Sequence, residues 1–147
     1  MKNVIIAVAA TFMTATMALA GETPSPEGAE VYFINLSDGD TVQGKVSVVF
    51  GLKGMGVAPA GTEKENTGHH HLLIDRAPFG EGAEDADMTA DGLYADDNHK
   101  HFGGGQTETT LDLAPGTHTL QMVLGDMFHV PHNPPVVSDV ITITVTE

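Results

Sequence analysis

Histidine is the residue type in this chain whose placement could support chemistry. All eight histidines lie at or beyond position 69, and six of them form three closely spaced pairs. Neutral imidazole is a good ligand for Zn²⁺ and Cu²⁺, and three or four imidazoles complete a tetrahedral or square-planar site. The spacing therefore predicts a copper or zinc site built from His69, His71, His99, His101, His129 and His132.

A strand must position the first pair. Residues 68–75 read GHHHLLID, an apolar segment that follows three consecutive histidines. Successive side chains of a strand point to opposite faces, so His69 and His71 share one face while His70 lies on the other. His99 and His101 share a face in extended backbone as well. We expect His70 to have a structural role, and His118 to pack at a sheet edge.

Other polar groups lie beside the histidines in the sequence. Asp97, Asn98 and Asp126 could hold the imidazole rings in orientation through hydrogen bonds, or they could cap turns. Met127 precedes His129 by two residues and would suit Cu(I), whereas Met122 is expected in the core. The alternative to a metal site is a metal-free network, since a neutral imidazole both donates and accepts hydrogen bonds.

The N-terminal segment has the pattern of a signal peptide. Lys2 precedes an apolar run that ends in Ala-Leu-Ala at 18–20, which is a small-x-small cleavage site. We expect residues 1–20 to be removed, no membrane insertion, and a periplasmic or secreted product. The chain has no cysteine, which excludes disulfides and thiolate ligands.

The overall charge limits the choice of partners. The formal net charge of −14 disfavours binding to nucleic acid or to an anionic membrane and attracts cations. Part of this charge lies in an acidic segment at 80–97. That segment is either a solvated loop or a collector of cations.

The remaining sequence predicts an all-β fold. Residues 21–29 are rich in Pro and Gly and are expected to be a flexible lead-in, followed by a single domain at 30–147. Alternation predicts strands at 31–36, 45–52, 69–75, 106–113, 117–125 and 136–145, with 106–113 and 117–125 joined as a hairpin and a long excursion at 76–101. The expected architecture is a monomeric antiparallel immunoglobulin-like β-sandwich of about seven strands with long loops.

Catalytic motifs are scarce in this sequence. There is no cysteine nucleophile and no G-x-S-x-G. The three glycines at 103–105 precede a strand, so they indicate backbone freedom or close approach and not a phosphate cradle. We expect no enzyme activity, and the enzymatic alternative is a metal-dependent hydrolase with Glu108 or Asp97 as base.

Several motifs resemble those of a family of small exported bacterial proteins that share a domain of unknown function. The matching text includes VYFI at 31–34, GMGVAPAG at 54–61, GHHHLLID at 68–75, HFGGGQTE at 101–108 and HVPHNPP at 129–135. Residues 80–92 lie outside the resemblance and look like an acidic insertion. The resemblance implies export and the domain boundaries, and it implies no substrate.

Two functions follow from these observations. The first is an exported histidine-rich protein that binds copper or zinc for storage, delivery or tolerance. The second is a metal-free recognition module for a partner protein or an envelope glycan, in which the histidines form a structural hydrogen-bond network.

Overall fold

The described part of the chain is built from β-strands. The computed structural model describes residues 21–83, 85, 92–93 and 95–147. The predicted signal peptide lies outside the described residues, as does part of the acidic segment. Nine strands are present in the described ranges: β1 (Glu30–Phe33), β2 (Thr41–Gln43), β3 (Val46–Lys53), β4 (Gly56–Val57), β5 (Thr67–Ile74), β6 (His99–His101), β7 (Glu108–Leu111), β8 (Gly116–Gly125) and β9 (Ile141–Thr146).

The strands form two sheets. The smaller sheet has the order β1-β3-β7, and the larger has the order β2-β9-β8-β5-β4, with β6 also paired to β5. The predicted sandwich is confirmed. The larger sheet is mixed, because β2 runs parallel to β9 and β4 runs parallel to β5. Three short strands that alternation did not predict, β2, β4 and β6, raise the number above seven.

The core lies between the two sheets. In β3, alternate residues Val46, Val48 and Phe50 are buried and face the other sheet, as the sequence pattern predicts. Leu72 and Ile74 of β5 belong to the same cluster of buried side chains. Each fully buried aliphatic or aromatic side chain contributes about 1.5–3 kcal/mol, so this layer fixes which face of β5 points inward.

The predicted hairpin of residues 106–113 and 117–125 is wrong. β7 pairs with β3 in the smaller sheet, whereas β8 pairs with β5 and β9 in the larger one. The turn at Ala114-Pro115-Gly116 therefore crosses between sheets. A local turn signal marks a change of direction, but the burial of Leu111 against the core selects β3 as the partner.

The outer face of the larger sheet is also covered. Leu73 of β5 and Val123 of β8 form a second apolar cluster with Leu93, and Phe79 and Val137 pack against it. Two described residues of the segment after β5, Phe79 and Leu93, thus lie over this face of the sheet. The segment is followed by β6, which pairs antiparallel with β5.

Residues 21–29, predicted as a flexible lead-in, lie along the segment at 131–134. The backbone N–H of Gly21 donates to Pro131 O at 2.7 Å, and Asn133 N donates to Thr23 O at 2.8 Å. The side chain of Ser25 donates to Pro134 O. Within the described residues, no helix combines the length and the apolar character needed to span a membrane.

Candidate metal centre

β5 carries two histidines on the outer face of the larger sheet. Because Leu72 and Ile74 face the core, strand alternation turns His69 and His71 to the other side, as predicted. Both side chains are nevertheless 0 % exposed. Their Nε2 atoms lie 2.9 Å apart. The two rings therefore meet beneath the segments that cover this face.

β6 adds a second pair from the neighbouring strand. In the antiparallel register, His71 lies opposite His101 and Leu73 lies opposite His99. Residues directly opposite each other share a face of the sheet, so all four histidines point the same way. The ring of His101 lies 5.0 Å from the rings of both His69 and His71, measured between centroids.

The loop after β8 adds a fifth histidine. The chain leaves β8 at Gly125, and Asp126 N donates to Val130 O at 2.8 Å, which folds the loop back. His129 has a φ of 67°. This left-handed conformation is strained for a residue with a Cβ. It brings His129 Nδ1 to 3.1 Å from His69 Nε2.

Four of the histidines form one group. One ring nitrogen from each of His69, His71, His101 and His129 can be chosen so that all four atoms lie within 4.8 Å of one another. His69 and His71 form the buried side of the group, and solvent reaches His101 and His129. A tetrahedral ion with metal–nitrogen bonds of about 2.0–2.1 Å keeps its ligand atoms about 3.3 Å apart. Two separations in the group are close to that value, 2.9 Å between His69 Nε2 and His71 Nε2 and 3.1 Å between His69 Nε2 and His129 Nδ1.

Burial and neighbouring histidines lower the pKa of three of these imidazoles, those of His69, His71 and His101, which are therefore uncharged at neutral pH. Burial, followed by the charges that His129 and His101 would carry, lowers the pKa of His69 to about 4. Burial and the neighbouring histidines also lower the pKa of His71, and burial and His129 lower that of His101. Metal binding requires neutral imidazole. The lone pairs of His69, His71 and His101 are therefore available without loss of a charging proton.

Two of the six histidines predicted as ligands lie outside the group. His99 Nε2 is 3.0 Å from His71 Nδ1, on the side of the His71 ring away from His69. His132 is buried, with its ring nitrogens at 3.4 Å from Leu124 O and 3.2 Å from Thr67 O. His132 thus lies between the first residue of β5 and the end of β8.

The three polar residues predicted to orient the rings differ in placement. Asp126 is 3 % exposed and accepts hydrogen bonds from Phe128 N, Val130 N and Thr23 Oγ1, so it fixes the backbone that carries His129. Asn98 donates from Nδ2 to Ile74 O at the end of β5. Asp97 is exposed in the turn before β6.

His70, His118 and Met122 have other surroundings. His70 packs on Phe50 with ring centroids 5.1 Å apart, inside the sandwich. His118 Nδ1 is 2.7 Å from Asp75 Oδ2, and this hydrogen bond raises the pKa of His118. Met122 is buried in the core, as predicted.

Gly125 lies against the centre and was not predicted from the sequence. A Cβ placed at Gly125 would lie 2.8 Å from His71 Nε2, an atom of the four-histidine group. A Cβ at Gly103 would collide with the His101 ring, which is the close approach expected for the glycines at 103–105. A glycine within a strand often marks close approach of another group. The glycine at position 125 was therefore the feature of the sequence that could have indicated this contact.

A β-sandwich with a histidine group on the outer face of one sheet defines the class of this protein. Residues 48–146 match the model of a domain of unknown function, DUF4399, and the chain belongs to that family. No curated protein and no solved structure matched the sequence. The matched region contains every histidine of the group.

Proposed function

We propose that this is an exported protein that binds one copper or zinc ion through His69, His71, His101 and His129, for storage, delivery or tolerance of the metal. Export is inferred from the N-terminal apolar run and its Ala-Leu-Ala site. The donor set supports the choice of metal, since all of its ligand atoms are imidazole nitrogens. Met122 packs in the core and is not part of the set. Imidazole suits Zn and Cu, whereas Mg²⁺ and Ca²⁺ prefer oxygen ligands.

The observation that carries this proposal is the crowding at one nitrogen. His69 Nε2 lies 2.9 Å from His71 Nε2 and 3.1 Å from His129 Nδ1. A ring nitrogen offers either one N–H or one in-plane lone pair, so it makes at most one linear hydrogen bond. The two contacts cannot both be good hydrogen bonds. A cation, by contrast, satisfies the three lone pairs together.

The number of ligands favours binding over catalysis. Catalytic zinc sites commonly have three protein ligands and an open position, while closed sites have four. The group here supplies four imidazoles. Glu108, one candidate base for a hydrolase, begins β7 in the other sheet. We therefore propose a role without catalysis.

Calorimetric titration of the exported protein with Zn²⁺ and with Cu²⁺ tests the proposal. We expect one ion per chain with a dissociation constant of micromolar or below, equivalent to about −8 kcal/mol. The double variant His69→Ala/His71→Ala removes both buried ligands and should bind no tighter than about millimolar. Metal analysis of the protein isolated from its native periplasm then identifies the ion.

His70→Leu is the matched control for this titration. It removes a buried histidine from the same strand, but one that faces the core. We expect its metal affinity to equal that of the original protein. A dissociation constant of the original protein above about millimolar for both metals would contradict the proposal and favour the metal-free recognition module.

A further inference from the structure

His99 lies directly behind one ligand of the proposed centre. It is 0 % exposed, and its Nε2 is 3.0 Å from His71 Nδ1. The other nitrogen of His71, Nε2, faces the group at 2.9 Å from His69 Nε2. His71 therefore has one nitrogen directed at the centre and the other directed at His99.

The chemistry of imidazole gives this contact a direction. A neutral imidazole carries one proton, so a metal ion at His71 Nε2 requires the proton to lie on Nδ1. That N–H is buried and needs an acceptor, which His99 Nε2 supplies. An acceptor at this position fixes both the tautomer and the rotation of the ring.

We propose that His99 is a positioning residue for the metal centre: it accepts a hydrogen bond from His71 Nδ1–H and does not bind the ion. This inference rests on the proposed metal-binding function. It assigns to His99 a role different from that of His101, the other histidine of β6. The cross-strand register explains the difference, because His101 lies opposite His71 while His99 lies opposite Leu73.

The second buried ligand shows why this contact matters. Within the described residues, His69 Nδ1 is buried and has no hydrogen-bond partner. The side-chain hydrogen bond that orients a buried ligand is therefore made at His71. Loss of such a partner typically weakens metal affinity by about 10–100-fold.

Two substitutions of His99 separate positioning from ligation. His99→Gln retains an oxygen that can accept from His71, whereas His99→Leu retains bulk and removes the acceptor. Zn²⁺ affinity is measured by competition with a chelator, and the Co²⁺ absorption spectrum reports the ligand set. We expect His99→Leu to bind about 10–100-fold more weakly, with one ion per chain and an unchanged Co²⁺ spectrum. His99→Gln should recover most of the affinity.

His132→Leu is the control for loss of a buried histidine, because His132 lies at the beginning of β5, away from His99. The His132 ring contacts backbone carbonyls and lies outside the group. The Zn²⁺ affinity of this variant should therefore remain within about threefold of that of the original protein. A Co²⁺ spectrum altered by His99→Leu would overturn the inference by showing that His99 is a ligand. An affinity unchanged by His99→Leu would overturn it by showing that positioning has no effect.

A measurement on the unsubstituted protein covers the case in which His99→Leu does not fold. Nitrogen-15 NMR of the Zn²⁺-loaded protein should show His71 protonated at Nδ1 and metallated at Nε2. Metallation of His71 at Nδ1, or of His99 at all, contradicts the inference while leaving metal binding intact. Failure of the original protein to bind Zn²⁺ or Co²⁺ would instead remove the proposed function.

Discussion

At the level of single residues, the proposed centre depends on a glycine as well as on histidines. Gly125 ends β8 directly opposite His69. A Cβ at this position would press on the His71 ring, at 2.8 Å from Nε2 and 3.0 Å from Cδ2. Since His71 is fully buried, the ring has little room to move away.

We expect Gly125→Ala to weaken metal binding by about 10–100-fold, because overpacking of a filled site commonly costs about 1–3 kcal/mol. The measurement is the Zn²⁺ competition titration. Gly56→Ala is the control, since it is also a strand glycine and its Cβ would meet the nearest atom at 3.4 Å, an ordinary contact. Equal affinities of the two variants would show that space at Gly125 is not required.

At the scale of structural elements, a buried carboxylate anchors the loop that carries His129. Asp126 accepts from Phe128 N at 2.8 Å, from Val130 N at 2.9 Å and from Thr23 Oγ1 at 2.6 Å. Through Thr23 the segment that begins at Gly21 is attached to the same loop. Asp126 thus holds His129 in its left-handed conformation.

Asp126→Ala should lower the free energy of unfolding by about 2–4 kcal/mol, because hydrogen bonds to a buried charged group contribute about 1.5–3 kcal/mol each and part of that loss is recovered by relaxation. Urea denaturation of the metal-free protein measures it. Thr23→Val removes one of the three bonds and should cost about 1 kcal/mol.

Asp97→Ala provides the comparison for an exposed aspartate near the histidines and should change stability by less than about 0.5 kcal/mol. If Asp97→Ala destabilises as much as Asp126→Ala, anchoring of the loop by Asp126 is not the distinguishing feature.

At the scale of the whole molecule, the two faces of the larger sheet have different roles. The inner face packs against the smaller sheet and includes His70, whereas the outer face carries the histidine group and the cluster around Leu73. Four histidines, His69, His70, His71 and His101, have pKa values lowered first of all by burial. The stability of the metal-free protein therefore depends on pH.

We expect the free energy of unfolding to fall as the pH is lowered from about 6.5 towards 4. Above 6.5 neither state binds protons at these groups, whereas below it the unfolded chain does and the folded chain does not. For His69 the difference between 6.5 and about 4 corresponds to on the order of 3 kcal/mol. Urea denaturation across this pH range measures the slope.

His118 has the opposite sign. The hydrogen bond to Asp75 raises the pKa of His118, so its contribution to stability is complete below about 6.5 and is lost as the pH rises through the raised value.

The control for the predicted fall in stability towards pH 4 is His69→Ala/His71→Ala, which should flatten that fall. A slope that this double variant leaves unchanged would contradict the assignment to the histidine group.

Local chemistry in the sequence was enough to predict part of this structure. The alternation of 69–75 separated His70 from His69 and His71, because side chains of a strand point alternately to opposite faces. The same rule gave the inward face of β3 and the common face of His99 and His101. These predictions hold because they depend on adjacent residues.

Contacts between residues far apart in the chain determine which histidines form the group. The pairing of β6 with β5 set His101 opposite His71 and placed His99 two residues further along β5, opposite Leu73 and behind the group. The fold of the loop after Gly125 brought in His129 and directed His132 to backbone carbonyls. The error in the 106–113 hairpin has the same origin. Strand partner and register depend on burial of residues far apart in the chain, and spacing within one segment does not specify them.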